Sequence, residues 1–139
     1  MRFSASLIAM ILAPACLAAD FAVSVGAANS FAFSPTQIFP APGDTVTFTF
    51  LSRNHSATTT TFDTPCPPPD GGTADGFDTG FLSATTGQTP SATVTIVDTA
   101  PHFVACAQAA GAHCRMGMVM AINPTAEQPF AQFLANAVA

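Results

Sequence analysis

Short runs of alternating apolar and polar residues, each closed by a turn signal, recur along this chain and limit it to a β architecture. The clearest run is Thr45–Phe50, where Val46, Phe48 and Phe50 alternate with threonines directly after the Pro- and Gly-containing turn 40–44. Such alternation sends one set of side chains to a buried face. Further strands are predicted at Ala22–Gly26, Phe31–Phe33, Thr58–Phe62, Thr93–Val97, His102–Ala105 and Gly117–Ile122. Together they predict an all-β fold, an antiparallel sandwich or Greek-key barrel.

One helix is predicted at the carboxyl end. Pro129 suits a first helical turn, and Phe130, Phe133 and Leu134 recur at a spacing that places them on one helical face. We expect this face to pack on the β structure. A chain of 139 residues is of single-domain size and long enough to bury a core.

The strongest apolar run lies at the amino end and is typical of a secretory leader. Arg2 supplies a positive charge, residues 7–13 are apolar, and Cys16-Leu17-Ala18-Ala19 is a small-residue cleavage signal. We therefore predict a leader over 1–19, removed before Asp20, and a secreted, extracellular domain over 20–139. A buried amino-terminal helix is the alternative. No later segment approaches the ~18 apolar residues of a membrane span.

The composition excludes several kinds of partner. Hydrophobic residues make up 49% of the chain and charged residues 8%, lysine is absent, and the formal net charge is −5. An acidic chain without a basic run is a poor ligand for nucleic acid, and this hydrophobicity is too high for disorder. We expect a monomer without a membrane span, and the sequence does not identify its partner.

The cysteine count is odd once the leader is gone. Cys16 lies in the leader, so Cys66, Cys106 and Cys114 remain. In an oxidising compartment, three cysteines imply one disulfide and one thiol that stays unpaired. That thiol is either buried and inert or a metal ligand, and the count alone does not decide.

One segment gathers soft metal donors. Between two predicted strands it holds Cys106, His113, Met116 and Met118. Thiolate and thioether with imidazole favour copper, and two His, one Cys and a distant axial Met form a type 1, electron-transfer site. The second imidazole must come from elsewhere, and His55, just past the Thr45–Phe50 strand, is the candidate.

Other interpretations of these residues are less economical. The cysteine, histidines and methionines are individually ordinary as core or incidental residues. A zinc site of Cys66, Cys106, Cys114 and His113 would use every thiol and leave no disulfide, which suits a secreted, loop-rich protein poorly. A catalytic dyad of Cys106 and His113 needs an orienting third group, and no Asn or Asp lies nearby in sequence.

Two positions near the site have competing roles. Met116 competes with Met118 as the axial ligand, but strand alternation places Met118, Met120 and Ile122 on one face, which favours Met118. His102, four residues before Cys106, is expected to lie outside the site on the incoming strand.

The basic residues left after leader removal are Arg53 and Arg115, and each lies two residues from a candidate histidine. The two arginines form either a positive rim around the site or ordinary solvated surface.

The chain resembles the cupredoxins, and specifically the phytocyanin-like secreted cupredoxins of fungi. The resemblance spans essentially the whole mature chain. It is carried by Phe33-Ser34-Pro35, Pro42-Gly43-Asp44-Thr45-Val46-Thr47-Phe48, His55-Ser56, Pro65-Cys66, Phe77-Asp78-Thr79-Gly80-Phe81, the segment from Cys106 through His113-Cys114-Arg115-Met116-Gly117-Met118-Val119, and Ile122-Asn123.

The resemblance implies a site and a disulfide. By position, His55, Cys106 and His113 are the equatorial ligands of one copper ion and Met118 is the axial ligand. Cys114 pairs with Cys66. The chain departs from the tightest blue-copper loops, because six residues separate Cys106 from His113. Such a loop still closes, since closure entropy grows only logarithmically with length.

Two functions follow from this reading. The first is a secreted type 1 copper protein that carries one electron and has no turnover chemistry of its own. The second is an extracellular copper-binding or cell-wall-associated module without electron transfer, which would use the same ligands. No paired carboxylates, phosphate loop or second metal cluster in the sequence supports an enzyme.

Overall fold

The computed structural model describes residues 8–139, so Arg2 and Leu7 of the predicted leader lie outside the described residues. The described chain forms ten strands, two α-helices and one short 3-10 helix (Ala27–Asn29). The strands are β1 (Asp20–Val25), β2 (Phe33–Ser34), β3 (Gln37–Ile38), β4 (Thr45–Phe50), β5 (Asn54–His55), β6 (Thr58–Thr60), β7 (Leu82–Ser83), β8 (Ser91–Thr95), β9 (His102–Ala105) and β10 (Val119–Ile122), and the helices are α1 (Ala112–Arg115) and α2 (Phe130–Val138).

Two four-stranded sheets form a sandwich. Sheet A has the order β2-β1-β4-β8, sheet B has the order β3-β10-β9-β6, and β5 pairs with β7 at one end. The predicted all-β sandwich with a carboxyl-terminal helix is confirmed. The pairing is not purely antiparallel as predicted, because β1 runs parallel to β4 and β3 runs parallel to β10. The parallel pairing of β1 with β4 is possible because β3, which lies between them in sequence, belongs to the other sheet. The chain therefore crosses the sandwich before it returns as β4.

The main core lies between the sheets. Val46, Phe48 and Phe50 are fully buried, as their alternation predicts, while the intervening threonines of β4 are partly exposed. From sheet B, the side chains of Val104, Cys106, Met118, Met120 and Ile122 join the same cluster.

A second apolar cluster lies on the outer face of sheet B. Phe103, Ala105, Val119 and Ala121 face helix α2 there, and Phe133 of that helix is fully buried among them. Phe130 and Leu134 are partly buried against this cluster, so the predicted apolar face of the helix is confirmed. None of the described helices has the length and apolarity to cross a bilayer.

Five predicted strands have bounds that differ from the observed ones. Ala22–Gly26 is observed as Asp20–Val25, Thr58–Phe62 ends at Thr60, and Gly117–Ile122 begins at Val119. The prediction of Thr93–Val97 is wrong at its end, because β8 stops at Thr95 and Val97 is 77% exposed. Ile96 instead bonds to the turn before β4, through its amide to Asp44 and its carbonyl to Gly43. Of Phe31–Phe33, only Phe33 is in a strand.

Candidate metal centre

Strand β9 and the start of β10 bring Cys106 and Met118 together. Cys106 directly follows β9, and its amide donates to the carbonyl of Met118 across the antiparallel pair at 3.2 Å. Both side chains are fully buried in the core between the sheets. The strands therefore fix the position of the thiol before any loop is considered.

The loop after Cys106 returns His113 to the thiol. Ala109 and Ala110 adopt left-handed conformations with φ of 55° and 52°, and Gly111 follows with φ of 83°. The one-turn helix α1 then begins at Ala112, within a segment that the sequence predicts to be a loop. A Cβ at Gly111 would lie 2.7 Å from Cβ of Pro67, so a larger residue would push the loop away from its neighbour.

His55 enters the centre from the other side. It lies in β5, is fully buried, and pairs in register with Leu82. A Cβ at Gly26 would lie 3.0 Å from Nε2 of His55, so the bare backbone of this glycine packs against the imidazole edge. That buried Nε2 has no hydrogen-bond partner among residues 8–139. The ring is thus held by packing, with Nδ1 turned towards Cys106.

Three ligand atoms form a small triangle. Nδ1 of His55 lies 3.7 Å from Sγ of Cys106, and Nδ1 of His113 lies 3.6 Å from the same sulfur. The two nitrogens are 3.1 Å apart. In the part of the chain that the structure describes, this is the one group of three His, Cys or acidic residues whose ligand atoms converge, all within 4.8 Å of one another.

The triangle fits one metal ion. Protein metal bonds of ~2.0 Å to imidazole nitrogen and ~2.3 Å to thiolate sulfur are long enough for a single ion to touch all three corners. Two imidazoles with a thiolate are the donor set of a type 1 copper site. The residues present therefore suit copper in both spacing and chemistry.

The surroundings keep the histidines in the form that binds metal. Burial lowers the pKa of His55 to about 4, and the nearby His113 and Arg53 charges add to the shift. Burial also lowers the pKa of His113, with a smaller contribution from Arg53. Both imidazoles are neutral at neutral pH and carry free lone pairs. Burial raises the pKa of the Cys106 thiol, partly offset by hydrogen bonds from Ser56 and Gln108.

Ser56 ties the two ligand segments together. Its amide donates to Sγ of Cys106 at 3.4 Å, and its hydroxyl accepts the amide of Ala107 at 2.9 Å. The same hydroxyl contacts Thr58, which donates to Asp78. This chain of bonds holds the residue after His55 against the residue after Cys106.

Phe31 covers the two histidines, a role that the sequence pattern does not predict. Its ring meets His113 edge-on with centroids 4.6 Å apart, and it meets His55 at 6.1 Å. The Arg53 guanidinium lies over the same ring, 4.7 Å from its centroid. Alternation with Phe33 had assigned Phe31 to a strand, and no local signal marks it as a neighbour of the site.

The remaining candidates fall into separate places. Met118 is fully buried with Met120 and Ile122, as alternation predicts, whereas Met116 is 56% exposed. His102 lies outside the centre and contacts Asp98 at 2.9 Å. Arg115 donates to the carbonyl of Ala110 in the ligand loop.

Cys66 and Cys114 form the disulfide that the resemblance implies, with Cα atoms 5.7 Å apart. Cys114 is the residue after His113, so the bridge fixes the far end of the ligand loop to the segment around Pro67. Cys106 is left as the buried free thiol.

Comparison with known proteins places the fold. No protein-family model matches the chain, and no curated protein matches it by sequence. Among solved structures it is similar to auracyanin B (19% identity, 81% of this chain and 93% of that chain, TM-score 0.52). It is also similar to plastocyanin from Dryopteris crassirhizoma (22% identity, 73% and 96%, TM-score 0.52) and to a purple cupredoxin from Nitrosopumilus maritimus (14% identity, 73% and 96%, TM-score 0.52). The chain therefore has the cupredoxin fold.

Proposed function

We propose that this chain is a secreted protein that holds one copper ion in a type 1 site and carries single electrons. The observation that supports this most directly is the convergence of Nδ1 of His55, Sγ of Cys106 and Nδ1 of His113 within 4.8 Å. His55, Cys106 and His113 are the equatorial ligands in this proposal, and Met118 is the axial one. Copper bound there supplies a one-electron couple.

The protein's part in this function is to hold its ligands still. Strand pairing fixes Cys106 and Met118, the packing of Gly26 and Phe31 fixes the imidazoles, and Ser56 links the two ligand segments. A site whose ligands are held by packing and outer hydrogen bonds changes little when the charge of the ion changes. That rigidity is what a carrier of electrons needs.

His113 is the proposed point of electron exit. Its side chain is half-buried, whereas those of His55, Cys106 and Met118 are fully buried. A partner therefore approaches the ion most closely through His113 and the Phe31 ring beside it. The partner itself is unidentified, and we propose that the carrier is monomeric and is not an enzyme.

Secretion and the phytocyanin-like subfamily belong to the same proposal. The leader signal supports export, and one disulfide beside a protected thiol suits an oxidising compartment. The resemblance to the fungal phytocyanin-like cupredoxins rests on the sequence motifs around His55, Cys66 and Cys106.

The test is a Cys106→Ser variant compared with the unsubstituted protein, both loaded with one equivalent of Cu(II). We expect intense thiolate-to-copper absorption and a reversible one-electron wave from the unsubstituted protein, and loss of the absorption in a folded variant. Absorption that survives the substitution contradicts the site. Copper binding with no electrochemical wave would instead favour an extracellular copper-binding or cell-wall module.

A methionine pair identifies the axial ligand. Met118→Leu should shift the absorption and the reduction potential, because a thioether is removed from beside the ion. Met116→Leu is the matched control at an exposed position and should leave both unchanged. The reverse result would exchange the roles of the two methionines.

A further inference from the structure

The carboxylate of Asp44 binds the first residue of the folded domain, Ala19. One of its oxygens accepts the amide of Ala41 at 2.8 Å, within the turn before β4. The other accepts the amide of Ala19 at 2.8 Å, from a residue 25 positions earlier. The carbonyl of Ala19 in turn accepts the amide of Thr45 at 2.9 Å. Both backbone groups of Ala19 are therefore engaged by the turn and by β4.

The described residues before Ala19 take no part in the fold. Residues 8–18 are all exposed and form neither helix nor strand. Five large apolar side chains in this stretch are 87–92% exposed, those of Ile8, Met10, Ile11, Leu12 and Leu17. An exposed apolar run of this kind favours aggregation, because apolar side chains on different molecules bind each other in water. The structural boundary of the domain thus lies between Ala18 and Ala19, one residue before the boundary predicted from the sequence.

The same bond carries a cleavage signal. Cys16 and Ala18 are small residues on either side of Leu17, which is the small-x-small pattern of a leader cleavage site. Cleavage one bond later would place Leu17 where this pattern requires a small residue. The sequence pattern and the hydrogen bonds of Ala19 therefore agree on the Ala18–Ala19 bond.

We propose that a secretory-pathway peptidase hydrolyses the Ala18–Ala19 bond and that the α-ammonium group so formed pairs with the Asp44 carboxylate. Water supplies the hydroxyl that completes the Ala18 carboxyl group and the hydrogen that completes the Ala19 amine. At neutral pH the carboxyl group then loses a proton and the amine gains one. The inference rests on the secretion part of the proposed function and is independent of copper.

The turn is already arranged for this charge. Asp44 is 9% exposed, and its carboxylate lies at hydrogen-bond distance from the nitrogen that becomes the ammonium. The amide hydrogen bonds from Ala19 and Ala41 lower its pKa, so it is ionised at neutral pH. Cleavage converts an amide–carboxylate bond into an ammonium–carboxylate bond, which is the stronger kind.

The first experiment reads the amino terminus directly. The full chain is expressed in a secreting host, and the exported protein is analysed by intact mass and amino-terminal sequencing. We expect a chain that begins Ala19-Asp20-Phe21. A chain that begins at Asp20, or one that keeps its leader, overturns the inference. Copper absorption is measured on the same sample, so a correct terminus without copper contradicts only the proposed copper site.

The second experiment tests the pairing. The chain has no lysine, so the α-amine is its only primary amine and can be acetylated selectively. Acetylation of the chain beginning at Ala19 should raise the unfolding equilibrium constant about tenfold, the size expected when a charge-assisted bond is lost. In Asp44→Asn the same acetylation should change this constant less than about twofold.

A control that needs no substitution of Asp44 keeps the test decisive. A chain with Gly-Ser added before Ala19 moves the charge away from the carboxylate, and its stability should match that of the acetylated protein. An acetylated protein as stable as the free-amine form overturns the pairing, as does an extended chain that matches the free-amine form.

Discussion

The two faces of sheet B carry opposite kinds of sulfur chemistry. On the inner face, the free thiol of Cys106 lies in the core between the sheets with Met118 and Met120. On the outer face, Cys114 lies with Phe103 and Phe133 in the cluster under α2, and it is bonded to Cys66. One sheet thus separates a cysteine that must stay reduced from a cysteine that must be oxidised.

The comparison indicates how the work of the fold is divided. The inner cluster supplies the thiol and places it beside His55 and His113. The outer cluster contributes no ligand atom, yet through Cys114 it holds the residue next to His113. We therefore expect substitutions in the outer cluster to lower the unfolding free energy. Substitutions in the inner cluster should lower it and also shift the copper absorption.

The largest effect is expected from the disulfide. Replacing Cys66 and Cys114 together with alanine opens a loop whose ends are 48 residues apart, which should cost about 4 kcal/mol of unfolding free energy. Equilibrium denaturation of the copper-free protein measures this loss. Copper affinity should also fall, because His113 loses its anchor. A double variant that is as stable as the parent would show that the outer cluster does not depend on the bridge.

A matched pair of core truncations separates the two faces. Phe133→Ala and Met120→Ala should each lower the unfolding free energy by about 3 kcal/mol, because both side chains are fully buried. Only Met120→Ala, which lies in the cluster with Cys106, should shift the copper absorption. An equal spectral shift from Phe133→Ala would remove the distinction between the clusters.

A smaller effect on the unfolding free energy is expected from Phe31, the partly buried ring beside the histidines. Phe31→Leu removes the edge-on contact with His113 and the contact with Arg53, together worth about 1 kcal/mol. Copper should also exchange faster with a chelator, because the ring covers both histidines. Phe39→Leu is the control, since Phe39 is 63% exposed. Equal exchange rates in the two variants would contradict a covering role.

The smallest effect on stability is expected from the contact between His102, at the start of β9, and Asp98. The hydrogen bond from His102 is the main cause that lowers the pKa of Asp98 below its ordinary value of 3.8. A carboxylate with a lowered pKa stabilises the fold above that ordinary value and loses the contribution as the pH falls through its folded pKa. Asp98→Asn should therefore lower Tm slightly at pH 6, and this difference in Tm should shrink as the pH is lowered below 3.8. A difference that stays constant as the pH falls would point to another cause.

Strand periodicity predicted much of this molecule because each cue is local. The buried set of β4 follows from the alternation over Thr45–Phe50, and the buried face of α2 follows from the spacing of Phe130, Phe133 and Leu134. The cluster of soft donors around Cys106 likewise indicated a copper site without knowledge of the fold.

The features that were missed depend on contacts between distant residues. Phe31 continues the alternation of Phe33, yet its ring contacts His113, which is 82 positions later in the chain. Ile96 leaves the strand pattern because the turn at Asp44 takes its hydrogen bonds. The cleavage pattern before Ala19 is local, but the hydrogen bonds that tie Ala19 to Asp44 join residues 25 positions apart. Periodicity carries no information on such pairings.

The opposite orientation of Cys106 and Cys114 also bears on how the chain is oxidised as it folds. In an unfolded chain the bond between Cys106 and Cys114 closes a loop of roughly 9 residues and the native bond one of roughly 49, so chain entropy favours the wrong pair about tenfold. Once sheet B has formed, Cys106 and Cys114 belong to the apolar clusters on its opposite faces. Formation of the sheet is therefore the step that makes thiol–disulfide exchange converge on the native bond. A chain oxidised before that step would trap its metal-binding sulfur in a short ring with its neighbour.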